Sequence, residues 1–180
     1  MQNGAFFLWR AIQSVMNQSF KDYEIVITQE GKMAENTNAG IKKARGEIIK
    51  ILYMDDWLAH EDALHDIVNA FEDVNTHWVI TPSDTNTHPH WTDDLEKGNN
   101  KLGSPSALAF RNENQLLFDE RMSWMLDCDL YKRMHALYGK PTILDRVGVN
   151  IGVGSHQMTH ILTNDEKLAE HYLILEKYGK

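Results

Sequence analysis

Glu47-Ile48-Ile49-Lys50-Ile51-Leu52-Tyr53-Met54-Asp55-Asp56-Trp57 is an apolar run that ends in two adjacent carboxylates. Five of the seven residues from Ile48 to Met54 are aliphatic, which favours a strand buried on both faces over an alternating edge strand. A parallel strand of an α/β sheet would carry Asp55 and Asp56 at its carboxyl end, where such sheets bind their ligands. The segment therefore predicts both an α/β fold and the place of a binding site.

The acidic pair has two interpretations. Adjacent carboxylates repel each other, so a cation beside them favours the folded state. Hard divalent cations such as Mg²⁺ or Mn²⁺ prefer carboxylate oxygen together with substrate phosphates. The alternative is a solvated acidic turn that caps the next helix. The pair alone does not decide between a metal site and a turn.

Composition predicts one compact domain over residues 1–180. The 42% hydrophobic content suits a single core, and a net charge of −8 argues against a nucleic-acid binder, whose footprint is basic. The single cysteine, Cys128, excludes an internal disulfide framework and a zinc-ribbon spacing. No apolar run approaches the roughly 20 residues that span a bilayer, and the start of the chain lacks the features of a signal peptide. We therefore expect a cytoplasmic protein with no integral membrane segment.

Hydrophobic periodicity predicts helices that alternate with strands. Amphipathic spacing and capping residues indicate the helices, and β-branched runs indicate the strands. The alternation favours an α/β class with a mixed, mainly parallel sheet flanked by helices. Helices are predicted at residues 6–16, 36–44, 60–74, 126–138 and 165–178, and strands at 23–28, 48–54, 78–81, 106–111, 115–118 and 143–149.

Three further segments occur in a fixed order around the acidic pair. The first is AIQSVMNQSF with YEIVI (11–20 and 23–27), the second is NAGIKKARGEII (38–49), and the third is FDERM with LDCDLYKR (118–122 and 126–133). Together with the acidic pair they resemble the family-2 glycosyltransferases of the GT-A fold. The resemblance covers about residues 5–160 and implies the GT-A fold, with the acidic pair at the family's metal-binding motif.

The chain departs from the family pattern in three places. The family opens with an apolar strand that ends at the nucleotide base, and this sequence starts almost at that turn, so the usual first strand is lacking. Gln29-Glu30-Gly31 stands where the family has an acidic turn that holds the base and ribose, and Tyr53 stands at the first acid of the metal-binding motif. We therefore expect an N-terminally truncated sheet, whose exposed edge invites pairing and allows a homodimer.

The resemblance implies a set of site residues. Asp56 would coordinate the metal ion, Asp55 would contact the metal or the ribose, and His156 in a Gly-rich stretch would be a third metal ligand. Asp127 would be the general base, with Asp129 in reserve. Capping of a helix by either aspartate and a surface position for the histidine are the alternatives. Nucleotide contacts are expected from Asn38, Gly40 and Lys42, the last of which has a solvated surface position as its alternative.

The implied function is a metal-dependent glycosyltransferase. It would use Mn²⁺ or Mg²⁺ to move a sugar from a nucleoside diphosphate sugar, with a UDP-sugar favoured, to a glycan or other hydroxyl acceptor, and the family suggests inversion. The first alternative is a non-catalytic remnant that binds a glycan or a protein partner. The second is a metal-dependent phosphohydrolase, for which the sequence offers too few further carboxylates.

Overall fold

The helices follow the predicted pattern with shifted bounds. The computed structural model describes residues 4–114, 116–155 and 157–179. Its helices are α1 Gly4–Met16, α2 Met33–Lys43, α3 Ala63–Ala70, α4 Leu126–Tyr138, α5 Met158–Ile161 and α6 Asn164–Tyr178. Helix α4 has the predicted bounds, whereas α2 begins before residue 36 and α3 covers only the middle of 60–74. Helix α3 stops early because Asp73 closes a turn by accepting the backbone N–H of Asn75 at 2.9 Å.

Four of the strands form one mixed sheet. The strands of the described residues are β1 Ile48–Lys50, β2 Trp57–Leu58, β3 Trp78–Ile80, β4 Leu108–Arg111, β5 Thr142–Ile143 and β6 Val149–Asn150. The main sheet has the order β1-β4-β3-β5, in which β4 is antiparallel to β1 and β3, and β5 is parallel to β3. β1, β3 and β5 therefore run in one direction. The sheet is mixed, as predicted, and two of its three strand pairs are antiparallel.

This topology places the acidic pair at a shared sheet edge. The carboxyl ends of β1, β3 and β5 lie at the edge where β4 begins, so Asp55 and Asp56 share it with Ser106, which precedes β4. A second, two-stranded sheet pairs β2 with β6 in antiparallel register, with Leu58 opposite Val149. This pairing brings the Gly-rich stretch after β6 next to the acidic pair.

The core joins α4 to the sheet and to α6. Trp78 on β3 and Tyr131 on α4 are fully buried, with ring centroids 5.8 Å apart. At the other side of α4, the fully buried Asp129 carboxylate accepts hydrogen bonds from Lys177 at 2.8 Å and from the Tyr178 hydroxyl at 2.7 Å, both on α6. These contacts fix the helix whose first turn carries Asp127.

The predicted strand at residues 23–28 is wrong. These residues have no regular secondary structure, and within the described ranges Tyr23 alone among them has a backbone hydrogen bond, to the carbonyl of Lys21 at 3.0 Å. The β-branched composition favours an extended conformation, but a strand also needs a neighbouring edge, and no described strand lies beside this segment.

Two other strand predictions are corrected. Residues 143–149 divide between the two sheets, because Ile143 pairs with Ile80 whereas Val149 pairs with Leu58. Residues 116–118 carry no strand, and Gln115 lies outside the described residues. Strand β4 also begins only at Leu108, because the two residues before it belong to a short 3₁₀ turn.

Candidate functional site

A large cavity opens beside the acidic pair. It has a volume of about 1890 Å³ and runs between α1, α2, α3, β1 and the segment 23–28. One end is lined by Tyr53, Asp55, Asp56 and Asp127. We call this part of the cavity the acidic end. The structure thus brings together, at one place, three of the carboxylates that the sequence singled out.

Asp56 is the most constrained of the acidic residues. Its side chain is buried, and one oxygen accepts the backbone N–H of Gly152 at 2.8 Å. Burial raises the pKa of Asp56 to about 6, and the neighbouring charge of Asp55 raises it further. Hydrogen bonds from Ser106 and Gly152 act in the opposite direction and lower it. A carboxylate in this state gains from a cation beside it, because opposite charge stabilises its ionised form.

The backbone of the acidic turn is held from two sides. The Arg10 guanidinium on α1 donates to the carbonyl oxygen of Asp55 at 2.6 Å and lies 3.6 Å from the centre of the Trp57 ring. From the other side, Gly152 approaches so closely that an added Cβ would lie 2.2 Å from the same carbonyl oxygen. Only glycine fits at this position, so the Gly-rich stretch is a structural part of the site.

Asp127 lies in the first turn of α4 and is held in one orientation. One carboxylate oxygen accepts the backbone N–H of Cys128 at 2.8 Å, and the other accepts the Asn100 side-chain amide at 2.8 Å. Burial raises the pKa of Asp127 to about 6, although both hydrogen bonds oppose the rise. A carboxyl group with this pKa is ionised near neutral pH and can accept a proton, as a general base must.

The start of α4 is stabilised by a carboxylate from α6. The buried side chain of Glu170 accepts the backbone N–H groups of Ser123 at 2.8 Å, Trp124 at 2.8 Å and Met125 at 2.9 Å. Met125 is the N-cap residue of the helix and the other two residues lead into it, so Glu170 holds the entry to α4 in place. The position of Asp127 therefore depends on α6.

Tyr53 lines the acidic end together with the three carboxylates. Burial raises the pKa of its phenol, and the charges of Asp127, Asp56 and Asp55 raise it further. The hydroxyl lies 3.4 Å from the Thr37 hydroxyl. Tyr53 is therefore a neutral hydrogen-bond group among three carboxylates, at the position where the family resemblance expects a fourth acid.

The other predicted residues have separate surroundings. Gly40 lines the same cavity as the carboxylates. The amide of Asn38 is buried and bonds the backbone of Phe118 through both its nitrogen and its oxygen, at 2.9 and 2.8 Å. Lys42 lines a different pocket of about 370 Å³. Asp129 forms the α4–α6 ion pair with Lys177 and the hydrogen bond with Tyr178 already described. His156 lies outside the described residues.

Sequence reasoning missed the residues that hold the site together. These supporting residues act from distant positions in the chain. Gly152 stood in a segment with a visible signal, its Gly-rich composition, and Ser106 in a Gly-Ser-Pro-Ser turn that resembles an acceptor-side turn of the family. Asn100 stood in the long polar loop, whose residue types do not reveal which of them bonds Asp127. The missed residues are Arg10, Asn100, Ser106, Gly152 and Glu170.

The acidic end fits a divalent cation in part. Asp55 and Asp56 supply the carboxylate oxygens that Mg²⁺ and Mn²⁺ prefer. Within the described ranges, however, no three His, Cys, Asp or Glu side chains are grouped closely enough to hold a metal ion. A cation at this place would therefore take further ligands from a bound diphosphate and water, as Mg²⁺ commonly does.

Solved structures of S. aureus TarS have a similar fold. TarS 1–349 in complex with UDP-GlcNAc matches with a TM-score of 0.66 and 13% identity, over 97% of this chain and 63% of that chain. TarS 1–349 in complex with UDP gives a TM-score of 0.59 and 16% identity, over 98% of this chain and 68% of that chain. This likeness confirms the predicted fold, a GT-A-like mixed α/β sheet flanked by helices.

The likeness is one of structure, and the chain spans 63% of the TarS structure that holds UDP-GlcNAc. No family model matches the sequence, and no curated protein matches it either. Among the helices of the described residues, none combines the length and the apolar character needed to cross a membrane.

Proposed function

We propose that this chain transfers a sugar from a nucleoside diphosphate sugar, with UDP-sugars favoured, to a hydroxyl group of a glycan or similar acceptor. The observation that carries the proposal is the acidic end, where Tyr53, Asp55, Asp56 and Asp127 line one cavity and the charges of the three aspartates act on the Tyr53 hydroxyl. The similar fold of TarS, which binds UDP-GlcNAc in one structure and UDP in another, supports the choice of donor.

Asp127 acts as the base in this proposal. The acceptor oxygen attacks the anomeric carbon, the bond from that carbon to the diphosphate breaks, and the acceptor proton passes to the Asp127 carboxylate. A single displacement of this kind inverts the anomeric centre. The bonds from Asn100 and Cys128 hold the carboxylate in place before the reaction, which limits the entropy lost on reaching the transition state.

Asp55 and Asp56 would hold the divalent cation, and His156 remains our proposed third ligand. When bound, the cation offsets the negative charge that develops on the departing diphosphate. Gly40 contacts the nucleotide within the main cavity. For Asn38 and Lys42 the surroundings favour other roles, since the first supports the backbone at Phe118 and the second lines a separate pocket.

The test measures UDP release from UDP-GlcNAc, with and without Mn²⁺, in the wild-type chain and in Asp55→Asn, Asp127→Asn and Asp145→Asn. Asp145 is an exposed carboxylate outside the cavity and serves as the matched control. We expect turnover in the wild type and in Asp145→Asn, with loss of about 10²-fold or more in Asp127→Asn, the usual contribution of a general base. Equal turnover in all four proteins would contradict the proposal.

A second candidate function is binding of the nucleotide sugar without transfer. It is favoured by the neutral Tyr53 among the carboxylates and by the absence of a three-ligand metal cluster in the described ranges. Calorimetric titration with UDP-GlcNAc and Mn²⁺ separates the two functions. If the wild type binds UDP-GlcNAc without releasing UDP, and Asp55→Asn does not bind it, the function is binding alone. If the wild type neither binds UDP-GlcNAc nor releases UDP, both proposed functions are wrong.

A further inference from the structure

One turn of the chain contacts both the proposed base and a proposed metal ligand. It comprises residues 103–106, just before β4, and we call it the bridging turn. At its start, the Asn100 side-chain amide donates to the carbonyl of the first residue at 2.9 Å and to the Asp127 carboxylate at 2.8 Å. At its end, the hydroxyl of Ser106 donates a hydrogen bond to Asp56. The bridging turn therefore spans the distance between Asp127 and the acidic pair.

Hydrogen bonds from two elements hold the backbone of the bridging turn. The buried Tyr131 hydroxyl on α4 is shared between the carbonyls of Gly103 and Ser104, each at 3.2 Å. The hydroxyl of Ser106 also accepts the backbone N–H of Tyr53, which follows β1, at 2.9 Å. The turn is thus fixed between α4 and the end of β1, and a side chain that it carries has a defined place in the site.

The side chain of Ser104 is the exception in this bonded turn. Its Oγ atom is buried, and among the residues that the structure describes it has no hydrogen-bond partner. Ser104 is the N-cap residue of the short 3₁₀ turn Pro105–Ala107, where a serine usually accepts a backbone N–H, yet its side chain makes no capping bond. A buried hydroxyl without a partner disfavours the folded state, so its presence in the site calls for a functional reason.

Ser104 lines the main cavity beside Asp127. A rotation between staggered positions about one bond is enough to turn a serine hydroxyl from a cavity wall towards the cavity. The neighbouring lining is apolar and aromatic, with contributions from Pro105, Trp124 and Leu126. A largely apolar wall with a few polar groups is typical of small-molecule sites, and it suits a sugar ring, which has both C–H faces and hydroxyl groups.

The proposed reaction gives the transferred sugar a defined place. Its anomeric carbon must lie between the diphosphate, which is held beside Asp55 and Asp56, and the acceptor oxygen, whose proton passes to Asp127. The bridging turn spans the same two positions. Ser104, inside this turn, is therefore placed beside the sugar ring of the donor and not beside its nucleoside.

On the basis of the proposed function, we propose that Ser104 is a specificity-determining residue whose hydroxyl binds a polar group of the transferred sugar. A serine hydroxyl can both donate and accept a hydrogen bond. Asn100 and Ser106 already use their side chains within the protein, whereas Ser104 gives up no described hydrogen bond when it binds a ligand. Its contribution favours the nucleoside diphosphate sugar over the bare nucleoside diphosphate.

Calorimetric titration at saturating Mn²⁺ measures the affinities for UDP-GlcNAc and for UDP in the wild type, Ser104→Ala and Ser19→Ala. Ser19 is an exposed serine outside the cavity and serves as the matched control. We expect Ser104→Ala to weaken UDP-GlcNAc binding about three- to tenfold, the usual contribution of one neutral hydrogen bond, and to leave UDP binding unchanged. Ser19→Ala should match the wild type with both ligands.

Thermal unfolding of the free proteins separates sugar binding from a structural role. Because the Ser104 hydroxyl has no described partner, its removal breaks no hydrogen bond, and we expect the midpoint of Ser104→Ala to equal or exceed that of the wild type. A lowered midpoint together with equal losses of UDP and UDP-GlcNAc affinity would assign Ser104 a structural role and overturn the proposal.

Two further outcomes distinguish this proposal from the proposed function. If Ser104→Ala binds UDP-GlcNAc as tightly as the wild type does, the role of Ser104 is wrong and the proposed sugar transfer is untouched. If the wild type binds neither UDP nor UDP-GlcNAc, the proposed function is wrong, and the role of Ser104 is wrong with it.

Discussion

At the residue scale, the surroundings of Asp127 set the pH at which it can act. Its folded pKa of about 6 lies above the ordinary value of 3.8, chiefly because the group is buried. A base must be ionised, so the proposed transfer requires a pH above this value. Asp56 has a similarly raised pKa, but a saturating divalent cation lowers it by opposite charge.

We therefore expect the rate of UDP release to rise with pH through about 6 and to level off above it, at saturating Mn²⁺. The measurement is kcat between pH 5 and pH 8 for the wild type and for Asp127→Asn. The variant is expected to lose both the rate and the rise, because it has no titrating group at this position. A wild-type rate that is flat from pH 5 to pH 8 would show that another group is the base.

The close contact at Gly152 gives a second prediction at this scale. An alanine Cβ would lie 2.2 Å from the carbonyl oxygen of Asp55, which also accepts the Arg10 hydrogen bond, so the acidic turn must shift. We expect Gly152→Ala to lower the free energy of unfolding by about 1–3 kcal/mol, as overpacked variants do, and to weaken UDP-GlcNAc binding in calorimetry.

Gly46→Ala is the matched control for this change. Its added Cβ would meet the nearest atom, the carbonyl oxygen of Ile48, at 3.5 Å, which is an ordinary contact. The control should retain both stability and binding. If Gly152→Ala behaved like the control, the Gly-rich stretch would not determine the shape of the acidic turn.

Asp55 and Asp56 could be proposed as site residues from a local feature, an acidic pair at the end of an apolar run, and Asp127 from the resemblance to the family. The sequence did not predict Arg10 or Asn100. Arg10 contacts a turn 45 positions away, and Asn100 bonds a carboxylate 27 positions away. Such partners are set by tertiary packing, which no local pattern records.

At the element scale, helices were predicted better than strands. The hydrophobic periodicity of α4 defines its buried face without reference to other elements, and its predicted bounds are those of the structure. A strand depends on its neighbours, and residues 23–28 show this dependence, because a strand-like sequence without a paired edge is no strand.

The hydrogen bonds between Glu170 on α6 and the residues before α4 give the prediction at this scale. Glu170 accepts three backbone N–H groups before α4, and Glu170→Gln replaces one acceptor oxygen by an NH₂ donor. We expect this change to lower the free energy of unfolding by about 1–3 kcal/mol, the cost of leaving a buried donor unsatisfied. Chemical denaturation measures the loss.

Glu176→Gln on the same helix is the control, because Glu176 is exposed and surface changes usually remain within about 0.5 kcal/mol. Circular dichroism should show unchanged helix content in both variants. Glu170→Gln as stable as Glu176→Gln would mean that the α4 N-terminus finds other partners, and that α6 does not position Asp127.

At the scale of the whole molecule, the carboxylates act on stability in opposite directions. Asp56 and Asp127 have raised pKa values, so folding disfavours their ionised forms. Asp119 has a lowered pKa because Arg121 and Lys177 surround it, and Asp129 has a lowered pKa because of Lys177, Tyr178 and Arg133. At a pH above the ordinary carboxyl pKa, the carboxylates Asp119 and Asp129 near α6 therefore stabilise the fold, whereas Asp56 and Asp127 at the acidic end destabilise it.

This opposition predicts that the inactive variant Asp127→Asn gains stability relative to the wild type as the pH rises. A raised folded pKa means that stability falls as the pH rises from 3.8 to about 6, and that the full cost is present above 6. That rise in pKa corresponds to at most about 3 kcal/mol. Asp127→Asn removes the titration, so its free energy of unfolding relative to the wild type should increase between pH 4 and pH 8.

Urea denaturation of both proteins at several pH values measures this difference. The hydrogen bond that asparagine loses at position 127 does not titrate, so it shifts the comparison equally at every pH and leaves the trend intact. Asp119→Asn should show the reverse trend, because a lowered folded pKa gives stability that is present above the unfolded pKa and is lost as the pH falls. Parallel curves for wild type and Asp127→Asn would mean that Asp127 is not desolvated in the fold, which would remove the physical basis for its role as a base near neutral pH.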